Sequence, residues 1–331
     1  MNNEDNCKTI DMHCDTLMRA YFRDKDDLFT CPEFDLDISR MIESGMMAQF
    51  FAIFVPSAKE YARYEKEYKG DDEYIDKCAS IFNHTVQKHA NVVAKATSAK
   101  EILDNYAGHK VSAILTMEDG VAVQGDMKKL DYFHSLGVRA LSLTWNYENC
   151  FGYPNSKDPE IMQKGLKDFG KDAVKHMQEI GMLVDVSHLS DGGFYDVYKL
   201  SKVPFIATHS NARALCNHSR NMTDDMILKL HEKGGVMGIN ICPDFLDNIP
   251  ENKDSKISRL CDMIEHEKEI AGIEVCAIGT DIDGTHGNFE MKGPCDSNKL
   301  FDELIRRGFS TSDIEKIAYK NIIRVLNEAG I

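Results

Sequence analysis

No stretch of eighteen consecutive apolar residues occurs in this chain of 331 residues, so no membrane-spanning helix is expected. The N-terminus, Met1 to Asn6, is polar and acidic and lacks the basic-then-apolar order of an export signal. None of the ten cysteines belongs to a C-x-x-C pair. Without an export signal they read as reduced thiols in a cytoplasmic protein, Cys7 among them. Positive charge is scarce: 39 Lys and Arg against 54 Asp and Glu leave a net charge of -15. That balance disfavours nucleic acid as a partner, because phosphate binding needs clustered Lys and Arg. Neither an internal repeat of fixed period nor a low-complexity segment is present. What these absences leave is a globular protein with a small-molecule partner.

The composition agrees, with 43% apolar and 28% charged residues. The length suits one large α/β domain over residues 1–331. Apolar runs at 46–55, 111–117, 138–144, 182–187, 203–208, 236–241 and 275–279 read as buried strands. With the N-terminal run at 9–15 they make eight. Polar or amphipathic segments follow them, notably at 34–45, 57–90, 126–136, 165–180, 191–201, 255–272 and 310–329. Such alternation predicts a parallel sheet, and eight units in this length predict a (β/α)8 TIM barrel. An open doubly wound sheet is the alternative.

Residues able to bind metal gather at the ends of these strands. His13 and Asp15 stand two apart, so on a strand they share a face. Glu118 closes the third run, His188 and His209 follow the fifth and sixth, and Asp281 follows the eighth. Imidazole and carboxylate groups converging on one spot suit a divalent transition metal such as zinc. Barrel enzymes carry their chemistry at this end of the strands.

The local motifs are D-M-H-C-D at 11–15, M-E-D-G at 117–120, L-T-W-N at 143–146, D-V-S-H at 185–188, A-T-H-S at 207–210, S-R-N-M-T-D-D at 219–225 and G-T-D-I-D-G at 279–284. In this order they resemble the membrane (renal) dipeptidase family, the M19 metallopeptidases, and its bacterial branch in particular. The resemblance implies a metal-dependent hydrolase with two zinc ions per chain. By it, His13 and Asp15 bind one ion, His188 and His209 bind the second, and Glu118 bridges them. A hydroxide between the metals attacks the peptide bond of a dipeptide. Asp281 is then the proton shuttle, and Arg220 pairs with the substrate's C-terminal carboxylate through its planar fork. A homodimer is also implied.

Trp145 stands where the animal enzymes carry a substrate-contacting histidine, and Asn146 is a candidate donor in its place. Asp119 stands where a glycine is common, which would alter the metal environment. Asp283 reads as a turn residue ahead of Gly284. His218, two residues before Arg220, would line the pocket, whereas alternation points Cys14 into the core.

Each feature also has a plainer reading. The five ligand-type residues could be satisfied polar groups at a barrel rim, Arg220 a surface ion pair, Asp281 a cap or turn residue, and Trp145 a hydrophobic rim residue. Two other functions remain. One is a binuclear amidohydrolase acting on lactams or cyclic amides. Those usually carry His-x-His on the first strand, and the binuclear ones often a bridging lysine. The other is a metal- or dipeptide-binding protein without turnover.

Overall fold

The computed structural model describes residues 8–331; Cys7 and the acidic N-terminal stretch lie outside the described residues. Its strands are β1 (Ile10–Asp11), β2 (Ala48–Phe54), β3 (Val93–Lys95), β4 (Val111–Glu118), β5 (Val138–Ser142), β6 (Leu183–Asp185), β7 (Ile206–Ala207), β8 (Val236–Ile239), β9 (Asp254–Ser255), β10 (Cys276–Ile278) and β11 (Asn288–Phe289). Eight of them run parallel in the order β1, β2, β4, β5, β6, β7, β8, β10. Asp11 lies opposite Ile278 and closes the ring. This is the expected (β/α)8 barrel, not the open sheet.

Strands β2 and β4 are buried along their whole length. That is why they read as continuous apolar runs: the barrel covers one face and helices the other. Ile10, Phe50, Ile114, Leu183, Ile206 and Val236 share one apolar cluster with Ile322, Val325 and Leu326. The C-terminal helix Asn321–Glu328 thus packs at the end where the strands begin, and leaves the opposite mouth for chemistry. Gly238 and Gly279 lie so close to the Thr208 carbonyl that a Cβ on either would overlap it. The missing side chains let β8 and β10 close in beside the loop that carries His209.

Several elements differ from expectation. β1 stops at Asp11, short of His13, because the Asp11 side chain turns to its own backbone and across the barrel seam. Its Oδ1 accepts from the His13 amide (3.1 Å) and the Thr280 amide (3.0 Å). The tail at 310–329 is helical as expected, but one stretch of it is wound more loosely. Thr311–Glu315 passes through a wide turn at Lys316–Lys320 into Asn321–Glu328. Helices Thr16–Phe22, Ala99–Ala107 and Ser297–Arg306, the short β3 and the β9–β11 pair were not anticipated. Strand β3 lies along residues 111–113 of β4, below the point where β5 joins.

Candidate metal centre and active-site cavity

The strand ends deliver the anticipated residues to one mouth. His13 and Asp15 follow β1, Glu118 ends β4, Trp145 and Asn146 follow β5, His188 follows β6, His209 follows β7 and Asp281 follows β10. Two of these turns need left-handed backbone, with φ of 69° at His188 and 64° at Asp281. Non-glycine residues adopt such angles at a cost, and they cluster at functional sites.

Glu118 stands at the centre. Its Oε1 lies 3.0 Å from His188 Nε2 and 3.4 Å from His209 Nε2, while its Oε2 lies 3.4 Å from His13 Nε2. His13 Nε2 is 3.8 Å from Asp15 Oδ1 and 3.9 Å from Asp281 Oδ1. Donor atoms of His13, Glu118 and His209 form one compact group, and those of His13, Asp15 and Asp281 another. His13 Nε2 and Asp15 Oδ1 are buried and have no hydrogen-bond partner. Buried polar atoms left in this way are costly unless a cation compensates them. The donor set of imidazole nitrogens and carboxylate oxygens therefore fits divalent metal.

Supporting contacts fix the tautomer of one of these imidazoles. The Thr208 hydroxyl donates to Asp185 Oδ2 (2.5 Å) and stands 2.7 Å from His209 Nδ1. With its proton committed to Asp185, the hydroxyl accepts from His209 Nδ1–H, and the Nε2 lone pair is left to face the cluster. Asp185 Oδ1 is held in turn by the Ser187 and Thr208 amides, each at 2.9 Å. Asn240 Nδ2 donates to Asp281 Oδ2 at 3.0 Å. Asn155 closes over the His188 carbonyl through its own amide at 2.7 Å. None of Asp11, Asp185, Thr208, Asn240 or Asn155 was singled out in the sequence. Asp11, Asp185 and Thr208 had a signal, as members of D-M-H-C-D, D-V-S-H and A-T-H-S.

The electrostatics favour bound positive charge. Burial opposes the Glu118 carboxylate, but His13 beside it holds the group well below the usual range. Burial likewise opposes a charged His13, and Glu118 overrides it, pushing His13 up to about 10, so a proton competes with a metal cation for its Nε2. Burial and Arg220 lower His188 to about 4, and burial keeps His209 well below its ordinary value. Both are thus neutral imidazoles at physiological pH, the form that binds metal. Burial raises Asp281 to about 6.

Arg220 is buried rather than a surface ion pair. Its Nη2 donates to the His209 carbonyl at 3.0 Å, and its Nε has no partner. It lines a cavity of about 790 Å³ together with Asp15, Glu118, Trp145, His188 and Asp281. His218 borders the same space and accepts from the Arg220 amide at 3.2 Å. Trp145 is half-buried and meets Phe54 edge-on at 4.8 Å, whereas Asn146 is exposed at the mouth.

Asp119 does not join the metal cluster. Its Oδ1 accepts from the Val121 amide (3.0 Å) and Asn149 Nδ2 (2.9 Å), which caps the turn Gly120–Val123. With φ of 69° it occupies backbone that glycine adopts freely. Asp283 does more than form a turn. It accepts from Thr16 Oγ1 (2.7 Å), Arg19 Nη1 (2.6 Å) and the Asp35 amide (2.9 Å). Cys14 is fully buried in the apolar core, as alternation implied.

A parallel barrel with imidazole and carboxylate groups at the C-terminal mouth defines the class of metal-dependent hydrolase barrels. The chain matches the model of the membrane dipeptidase family, peptidase family M19, over residues 4–330 and belongs to that family. It is thus an enzyme, a hydrolase of the metallopeptidase class. Dipeptidase aclJ of Aspergillus oryzae is 28% identical over 319 residues, covering 94% of this chain and 73% of that protein. Dipeptidase tcpJ of Claviceps purpurea is 27% identical over 325 residues, covering 94% and 74%. A metallo peptidase from Rhodobacter sphaeroides, solved with a phosphinate mimic of the dipeptide L-Ala-D-Ala, superposes with a TM-score of 0.86 at 25% identity. The match covers 98% of this chain and 100% of that one.

Proposed function

We propose that the protein is a zinc-dependent dipeptidase that holds two metal ions and hydrolyses the peptide bond of dipeptides. The observation that carries this is the placement of Glu118, with one oxygen towards His13 and the other towards His188 and His209. His13 and Asp15 would hold one ion, His188 and His209 the other, and Glu118 both. Two such ions supply Lewis acidity, which polarises a peptide carbonyl and makes hydroxide available at neutral pH.

The chain's own groups do the rest. Arg220, buried and without a carboxylate partner among the described residues, binds the substrate's C-terminal carboxylate and so selects dipeptides over longer chains. Asp281 accepts a proton from water and returns it to the leaving amine, and its raised pKa suits both directions. Asn240 holds the other oxygen of that carboxylate in place. Trp145 and Phe54 form an apolar wall, with Asn146 at the rim. The phosphinate dipeptide mimic bound by the Rhodobacter relative supports a dipeptide substrate. No lysine borders the cavity, which gives the lactamase-like alternative no bridging group.

We also assign the chain to a reducing compartment, the cytoplasm. Nine described cysteines are unpaired, and six of them are buried. Among the described residues no helix is long and apolar enough to cross a membrane.

The test is hydrolysis of a dipeptide panel by protein loaded with two equivalents of zinc, beside chelated protein. Zinc-dependent cleavage of dipeptides, with tripeptides and amidated dipeptides spared, is expected. Cleavage of lactams alone, or binding of dipeptides without turnover, would replace the proposal.

A further inference from the structure

Seven of the eleven arginines form ion pairs with carboxylates. Among the described residues Arg23, Arg63, Arg139 and Arg220 do not. Arg139 spends its donors on three backbone carbonyls away from the site. The other three all line the active-site cavity. An arginine at a cavity wall without a carboxylate is poised to bind one from a ligand.

Arg220 already has a role in the dipeptidase reading, on which the present inference rests. Arg23 and Arg63 lie on a different wall. Arg220 follows β7, whereas Arg63 ends the helix Ala58–Arg63 after β2 and Arg23 ends the helix Thr16–Phe22 after β1. In the ring of eight strands, β2 and β7 are four places apart and therefore opposite. A dipeptide with its C-terminal carboxylate at Arg220 and its peptide bond over Glu118 directs its N-terminal residue towards Arg63 and Arg23.

That wall is prepared for an anion. Arg63 Nη2 is braced on His286 Nε2 at 3.1 Å, across the mouth from the loop after β10. Burial and the neighbouring Arg63 keep His286 neutral, so its lone pair accepts from the guanidinium and orients it. Nearby carboxylates are largely committed. Glu60 closes a capping box with Ser57, and Asp283 and Asp35 face Arg19. Glu65 is the remaining carboxylate on this side, against two guanidinium groups. We infer that the enzyme prefers dipeptides whose N-terminal residue bears a second carboxylate, an aspartyl or glutamyl side chain gripped by Arg63 and Arg23.

Steady-state kinetics of zinc-loaded enzyme on glutamyl-alanine, its neutral isostere glutaminyl-alanine and alanyl-alanine test this. The acidic substrate should exceed its isostere in kcat/KM by about tenfold, carried by KM, as expected for a charge-assisted contact remote from the reacting bond. The ratio should fall towards unity in Arg63→Gln and Arg23→Gln, and Arg63→Lys should keep part of it. Calorimetric binding of phosphinate analogues with glutamyl or glutaminyl side chains should give the same ratio without turnover. Equal rates on the two substrates would overturn the inference, as would a loss in Arg63→Gln that strikes both alike. If alanyl-alanine is cleaved and no acidic preference appears, this inference alone fails. If metal-loaded enzyme cleaves no dipeptide, the dipeptidase reading fails with it.

Discussion

His188 and His209 meet through their nitrogens with the rings tilted by 55°, Nε2 to Nε2 at 3.0 Å, with Glu118 Oε1 within reach of both. Burial keeps both imidazoles neutral, so the pair gains nothing from an ion pair with Glu118 and offers lone pairs instead. Glu118→Gln removes the charge that both sets of histidines surround. The variant should retain much less metal by elemental analysis, and hydrolysis should fall by at least about 100-fold. Full metal occupancy in that variant would remove Glu118 from the shared position.

Asp281→Asn should separate binding from chemistry. Asn240 can still hydrogen-bond the amide oxygen, so the loop should keep its shape. Metal content should stay near wild type while kcat drops by about 10²- to 10⁴-fold, the usual worth of a positioned acid–base group. An active Asp281→Asn enzyme would reassign the shuttle.

Arg220→Ala should raise KM for dipeptides by about tenfold or more if, as proposed, it makes a charge-assisted contact to the carboxylate. Part of any loss will be local, because Arg220 also holds the His209 carbonyl. Amidated dipeptides, cleaved poorly by both proteins, separate the two effects. If they lose as much as free dipeptides, Arg220 acts through His209 and not through the substrate.

Thr208→Val tests the hydroxyl that links Asp185 to His209. Its loss leaves Nδ1 without an acceptor and should weaken metal affinity by about 10- to 100-fold, read by competition with a chromogenic chelator. Unchanged affinity would show that packing alone sets the ring.

Glu267 supplies a prediction about stability. Fully buried in the helix Ile257–Ala271, it has only the weak Cys276 thiol beside it, and burial raises its pKa well above normal. The folded state therefore holds a proton that the unfolded chain releases. Stability from this group is complete below the unfolded pKa and declines as pH rises towards the folded one. Glu267→Gln should thus gain Tm over wild type as pH rises from about 5 to about 8 in scanning calorimetry. A pH-independent difference would show that packing, and not protonation, separates the two proteins.

The barrel and the ligand cluster were legible for one reason. A strand covered on both faces is apolar throughout, so a His or Glu at its end stands out against Val111 to Met117 or Met182 to Val186. The short elements gave no such contrast. β3 covers three residues, and β9 and β11 only two each. Helix Thr16–Phe22 begins directly after Asp15 and was hidden by the ligand motif. The supporting residues were invisible for a different reason. Thr208 and Asp185, or Asn240 and Asp281, meet across neighbouring strands, and no spacing within one segment encodes that contact. The role proposed for Arg220 rests on the resemblance, and its burial came only with the fold.

The Asp283 carboxylate ties Thr16 and Arg19, near the start of the chain, to the loop after the last barrel strand. β1 likewise completes its pairing only with β10. The first residues of the site to leave the ribosome must wait for some of the last. A nascent chain that ends before residue 281 would carry His13, Glu118, His188 and His209 but neither Asp281 nor the Asp283 clasp. The mouth that gathers these groups is thereby completed only once residue 283 has joined the fold.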